Sequence, residues 1–265
     1  MDRRAFLAGA GLVATGAIPG AGIGFVSEPA VATESPTART AVPFGEKDAR
    51  VVTVRFREHP ANQLVALTID DGPTARWTPQ VLEILARRGV PATFFLVGRR
   101  AQAHPELPKR AADAGHELGN HTWAHTDLTH LNEDSGRGAL ERTHELIARL
   151  TGREPTVCRP PYGRIDRVGL LACAAMGYGV TLWSDHITGS NSRADVNRVL
   201  RQATPGSIVL GHDGGPEPNA SLMAQLDRLV GAMTDAGYVF VTVSQLLAAP
   251  ARSSAASPGG DGQAT

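Results

Sequence analysis

Two imidazoles stand four positions apart in His121-Thr-Trp-Ala-His125, close enough to converge on one cation. Upstream, an apolar stretch ends in Ile69-Asp70-Asp71-Gly72. Together these segments offer two nitrogens and a carboxylate oxygen. That is the donor set of a catalytic zinc site with positions left open for water and substrate. Asp70 is then spare, and a carboxylate beside a metal that it does not bind is suited to act as a general base. Further polar groups follow at Arg159-Pro-Pro-Tyr162, Asp185 and Leu210-Gly-His212. Each has a bland reading when taken singly. Asp70-Asp71-Gly72 reads as a turn or helix-entry cap, the histidines as surface residues, Arg159-Pro-Pro as a rigid strand exit, and His212-Asp213-Gly214-Gly215 as a loop. Their joint placement decides between the readings.

The elements that must position these groups alternate. Leu64 to Asp70 is a buried strand, and Pro79 to Arg88 a helix with Pro in its first turn and Gly89 just past its end. Strands follow at 92–97, 116–120, 156–159, 178–183, 207–210 and 238–241, with an introductory strand at 51–56. Helices are expected at 105–114, 133–150, 167–176, 193–203 and 220–236. Strand-then-helix repetition argues for parallel strands with right-handed crossovers. About seven repeats could close into a (β/α) barrel. Asp70, Asp71, His121, Arg159, Asp185 and His212 all fall at C-terminal ends of strands, the face on which barrels carry their active sites. An open doubly wound sheet is the alternative, but it would scatter some of these groups away from its switch point.

The chain has 265 residues, 42% hydrophobic and 20% charged, which is ordinary globular usage and enough for one well-buried domain. Lys and Arg total 26 against 26 Asp and Glu. With no net basic field, nucleic acid and anionic membrane are set aside as partners. Arg3-Arg4 precedes a short Gly/Ala-rich apolar run from Leu7 to Ile18. This reads as a twin-arginine export signal over residues 1–32, too short for a good membrane span. A Sec signal that carries two arginines is the alternative. Residues 33–50 read as a linker, 51–249 as the catalytic domain, and 250–265 as a disordered tail. Export implies a secreted or envelope protein with no stable membrane span after cleavage, and a monomer is expected. Cys158 and Cys173 either pair or stay as buried free thiols.

Thr68-Ile-Asp-Asp-Gly72, His121-Thr-Trp-Ala-His125, Arg159-Pro-Pro-Tyr162 and Leu210-Gly-His212 occur in that order. They resemble four of the five motifs of the polysaccharide deacetylases, carbohydrate esterase family 4, also called the NodB homology domain. The resemblance spans roughly Leu64 to Leu247 and implies a distorted (β/α) barrel. It also implies an N-deacetylase acting on N-acetylglucosamine units of an acetylated glycan such as peptidoglycan or chitin. An O-acetyl xylan esterase and a catalytically silent glycan-binding relative are the alternatives. The resemblance makes Asp71, His121 and His125 ligands of a divalent metal, usually zinc, with Co2+ as another candidate. It makes Asp70 the base, Arg159 the cation that orients it, Tyr162 the donor of a backbone N–H to the oxyanion, and His212 the general acid. One departure stands out. The family's Asp-Trp pair is missing from Trp183-Ser-Asp-His-Ile-Thr-Gly189. The usual Asp would buttress the arginine, and Asp185 is the nearest replacement. The usual Trp would line the sugar groove, whereas Trp183 itself reads as core at a strand end.

Overall fold

The computed structural model describes residues 52–216 and 218–251. The expected export signal and linker, and the tail beyond Ala251, lie outside the described residues. The start of the expected tail is held: Pro60 and Ala251 form an antiparallel bridge, and Ala61 N–H donates to the Pro250 carbonyl.

Leu64–Asp70 forms β2, buried along almost its whole length. A strand apolar on both faces needs cover on both, as in a parallel sheet. Its helix α1 (Thr78–Arg88) has Pro79 in the first turn and closes on Gly89, whose φ of 65° is left-handed. The chain then runs β3 (Thr93–Leu96), α2 (Gly98–Ala103), α3 (Glu106–Asp113), β4 (Glu117–Asn120) and α4 (Glu133–Thr151). It continues with β5 (Val157–Cys158), α5 (Arg167–Ala175), β6 (Gly179–Thr181), β7 (Asp185–His186) and α6 (Ser192–Gln202), and ends with β8 (Ile208–His212), α7 (Ala220–Asp235), β9 (Val239–Val241) and α8 (Val243–Ala248). The introductory strand β1 is short, Val54–Arg55. Sequence reading missed α2, α8 and β7, which are too short to show a period.

All the strand ladders are parallel, in the order β1-β6-β5-β4-β3-β2-β8-β7, with β9 also pairing with β2. From β2 to β6 each new strand adds on the same side, and β8 returns to the other edge of β2. That progression is a barrel's, with no reversal at a switch point. The barrel is incomplete. Its seam lies between β1 and β7, where Arg57 makes an antiparallel bridge to Ser207 and its guanidinium reaches Asp185 at 3.5 Å. The result is the expected distorted (β/α) barrel, a curled parallel sheet with helices that stays open at one seam.

Register carries the site. Asp70 pairs with both His212 and Phe95, Leu96 with Asn120, and Asn120 with Cys158. The residues that follow Asn120 and Cys158 are His121 and Arg159. Four strands thus deliver Asp70, His121, Arg159 and His212 to one level of one rim.

Candidate active site

His121 and His125 leave β4 on a loop, not a helix. Asn120 Oδ1 accepts from Thr122 N–H at 2.9 Å, Thr122 Oγ1 from Thr126 N–H at 2.9 Å, and the Ala139 carbonyl from Trp123 N–H at 2.8 Å. Thr122, His125, Asp71 and Tyr162 all have left-handed φ, between 57° and 72°. Such backbone costs on the order of 1–3 kcal/mol per non-glycine residue and persists where surrounding contacts hold it. All four cases lie at this one rim.

The three expected ligands converge. Asp71 Oδ1 lies 3.0 Å from His125 Nε2 and 3.4 Å from His121 Nε2. One ligand atom from each of the three lies within 4.8 Å of the others, the one such group among the described residues. His121 Nδ1 sits 2.6 Å from the Arg159 carbonyl, which can only accept, so Nδ1 carries the proton. In the neutral ring the lone pair of Nε2 then faces Asp71, the arrangement that orients a metal-binding histidine. Asp71 Oδ1 is buried with no hydrogen-bond partner. An orphaned acceptor opposite two imidazole nitrogens is what a cation would satisfy. Burial alone would raise the Asp71 carboxyl, but the flanking His121 and His125 hold it well below the usual carboxylate range. Burial disfavours charge on His121, yet Asp70 and Asp71 outweigh it and raise the ring's pKa. The residues fit a divalent metal.

Asp70 is not drawn into this group. Its Oδ1 accepts from Arg159 Nη1 at 2.8 Å, and its Oδ2 stands 3.8 Å from His121 Nε2. Arg159 is wholly buried. Three more of its donors go to Thr68 Oγ1 and to the carbonyls of Thr181 and Leu182, all at 2.7–3.0 Å, with the guanidinium over the Phe95 ring. Burial pulls the guanidinium's pKa down and Asp70 opposes the fall.

Those carbonyls correct one expectation. Asp185 does not touch Arg159. It accepts from Ser184 Oγ at 3.0 Å and faces Arg57 and Arg198 at 3.5 and 3.6 Å. Its strand β7 pairs with β8 at the seam, and four of the five Arg159 N–H donors already go to Asp70, Thr68 and the carbonyls of Thr181 and Leu182. The Asp185 carboxylate faces Arg57, Arg198 and Ser184 at the seam rather than Arg159.

A cleft of about 720 Å³ opens over this rim, lined by Asp70, Asp71, His121, His125, Tyr162 and His212, among others. His212 Nδ1 is buried without a hydrogen-bond partner. The Tyr162 N–H has no protein acceptor among the described residues, while the residue is 62% exposed and its ring meets His125 edge-on. Trp183, expected as core, is only half-buried and lines the cleft, as do His186, Arg99 and Arg100. Arg100 Nη1 donates to the Asp71 carbonyl and fixes the turn that carries the ligand. Asp213 lies beneath the same turn. Its Oδ2 accepts from Thr78 Oγ1, its N–H donates to the Asp70 carbonyl at 3.2 Å, and its carbonyl accepts from Thr74 Oγ1. A Cβ on Gly72 would stand 2.2 Å from Asp213 Oδ1, so glycine is required there. Sequence reading missed Arg100 and Asp213. The only hint of Asp213 was its place directly after His212. Cys158 and Cys173 are buried free thiols in one cluster under the rim.

A parallel barrel that carries a two-histidine, one-carboxylate cluster beside a buried carboxylate–arginine pair presents a candidate hydrolytic centre with a candidate metal site. Comparison narrows the class. Residues 57–181 match the family model described as polysaccharide deacetylase. A Bacillus cereus peptidoglycan-N-acetylglucosamine deacetylase is 37% identical over 185 residues, covering 69% of this chain and 67% of its own. A Sinorhizobium fredii chitooligosaccharide deacetylase is 38% identical over 196 residues, covering 68% and 90%. The crystal structure of the Bc1960 peptidoglycan N-acetylglucosamine deacetylase superposes with a TM-score of 0.69 at 32% identity, covering 75% of this chain and 95% of that one. The chain belongs to the polysaccharide deacetylase family, hydrolases acting on the C–N bond of N-acetyl groups.

Proposed function

We propose that this protein is an exported, metal-dependent deacetylase that removes N-acetyl groups from N-acetylglucosamine units of peptidoglycan or chitin-type glycans. The observation that carries the reading is the convergence of Asp71, His121 and His125 beside an Asp70 that is held separately by Arg159. Zinc, or another divalent transition metal such as Co2+, would be held by those three residues. When bound, such an ion acts as a Lewis acid and lowers the pKa of water. Asp70 accepts the proton of the water that attacks the acetyl carbonyl. The Tyr162 N–H donates to the oxygen that gains charge. As the C–N bond breaks, His212 gives its proton to the departing amine, leaving acetate and a free amino sugar. Arg159 keeps the Asp70 carboxylate in place by ion pairing. Export rests on Arg3-Arg4 and the apolar run Leu7 to Ile18.

One observation favours a second reading, an O-acetyl esterase on the same site. His212 Nδ1 has no partner to hold the ring, and an alkoxide needs less help from an acid than an amine does. Acetate release from chitooligosaccharide, peptidoglycan and acetylated xylan, for wild type and His212→Ala, separates the two. The N-deacetylase reading expects amide turnover to fall by about 10²–10⁴-fold in the variant. Wild-type turnover confined to esters overturns it.

A further inference from the structure

The cleft does not end at the metal ligands. A second trough of about 500 Å³ adjoins it and shares Arg99, Arg100 and Gly215 as a common wall. Beyond that wall it is lined by Pro73, Thr74, Ala103 and His104. Among the described residues, no carboxylate lines this trough. Arg100 is anchored on the Asp71 carbonyl, a neutral acceptor that leaves its charge unmatched. Arg99 is exposed, and its side chain makes no ion pair or hydrogen bond with the described residues. His104 faces Glu106 at 3.8 Å, the nearest offsetting charge that the contacts show. Of the acids of the main cleft, Asp70 is paired with Arg159, and Asp71 stands opposite His121 and His125, where a bound dication would offset its charge. The protein as a whole is formally neutral, so this concentration of positive charge is local.

We propose that the Arg99–Arg100 trough is a subsite for a carboxylate borne on the sugar next to the one being deacetylated, with Arg99 as its specificity-determining residue. This rests on the deacetylase reading and deepens it. A chitin-type chain is neutral along its length, whereas a muramoyl residue of peptidoglycan carries a lactyl group that ends in a carboxylate or a peptide. A guanidinium fork matches a carboxylate with two parallel N–H donors and gives a neutral N-acetyl sugar no equivalent partner. Arg99 stands free for that role, while Arg100 holds the turn and lends its charge. The subsite therefore makes the enzyme prefer an acidic glycan over a neutral one.

The test uses zinc-loaded protein and one glycan in two forms: a peptidoglycan-derived oligosaccharide with free lactyl carboxylates, and the same oligosaccharide with those carboxylates amidated. kcat/KM for acetate release is measured on both, alongside Kd by calorimetry, for wild type, Arg99→Gln and Arg99→Lys. The wild-type ratio of free to amidated substrate should exceed one and should shrink with added salt. Arg99→Gln should cut that ratio about two- to fivefold, mainly through KM, with Arg99→Lys retaining part of it. A ratio that is the same in wild type and Arg99→Gln overturns the subsite. If wild type releases acetate from neither form, the deacetylase reading fails on its own, and the Kd ratio then decides the subsite by the same criterion.

Discussion

Replacing Asp213 by asparagine should change how stability depends on pH. Asp213 is wholly buried. Burial, reinforced by the negative charges of Asp71 and Asp70 and opposed by the Thr78 hydroxyl, pushes its pKa up to about 7. In the unfolded chain an aspartate titrates near about 3.9. Between these values the folded protein keeps a proton that the unfolded chain releases. Stability therefore falls as pH rises, by about 1.4 kcal/mol per unit. The cost is absent below the unfolded value and fully present above about pH 7. From pH 5 to pH 8 it amounts to roughly 3 kcal/mol. Asparagine cannot ionise, so this component of the slope vanishes in Asp213→Asn. Urea unfolding of metal-free wild type and variant across pH 5–8 measures it. Metal-free protein is used because a dication beside Asp71 would favour the ionised carboxyl. The variant's stability minus that of wild type should climb by roughly 3 kcal/mol over the range. A constant offset from the altered contact with Thr78 cancels in that difference. A difference flat to within about 0.5 kcal/mol would refute the account of Asp213 as a carboxyl that burial keeps protonated.

Two further outcomes follow from the same rim. Arg159→Met strands Asp70 without its buried counter-ion and leaves the Thr181 and Leu182 carbonyls unpaired. Breaking such a pair costs on the order of 3–5 kcal/mol, so Tm should drop by roughly 10 °C; an unchanged melting curve would remove Arg159 from its structural role. Apparent zinc affinity should weaken as pH falls through the raised pKa of His121, because the ion must displace a proton that Asp70 and Asp71 hold on the ring. The loss should be about tenfold per pH unit for each proton displaced, read by competition with a chelator; affinity independent of pH between 5 and 8 would contradict the ligand assignment.

The elements were legible where local chemistry fixes them. The apolar run at 64–70 reproduces β2 residue for residue. The helix expected over 133–150 is α4, Glu133–Thr151. The convergence of His121, His125 and Asp71 was legible because residue type, spacing and strand-end position all pointed one way. Contacts made through backbone atoms left no trace in the sequence. The carbonyls of Thr181 and Leu182 fill the Arg159 fork, and a carbonyl is present at every residue, so Asp185 was wrongly offered as that partner. The left-handed φ of Asp71, Thr122 and His125 was likewise invisible, because none of the three is glycine. Six residues of α2 hold too few apolar positions to show a helical period, yet that helix carries Arg99 and Arg100 to the cleft.

The most direct test of the central claim pairs metal content with acetate release on purified protein, for wild type and Asp70→Asn, with chitin oligomers and peptidoglycan as substrates. The account predicts about one zinc per chain in both proteins, with acetate released by wild type and lost in the variant. A wild-type protein that takes up no metal even after reconstitution would contradict the assignment of Asp71, His121 and His125. A variant that keeps full turnover would contradict the role of Asp70.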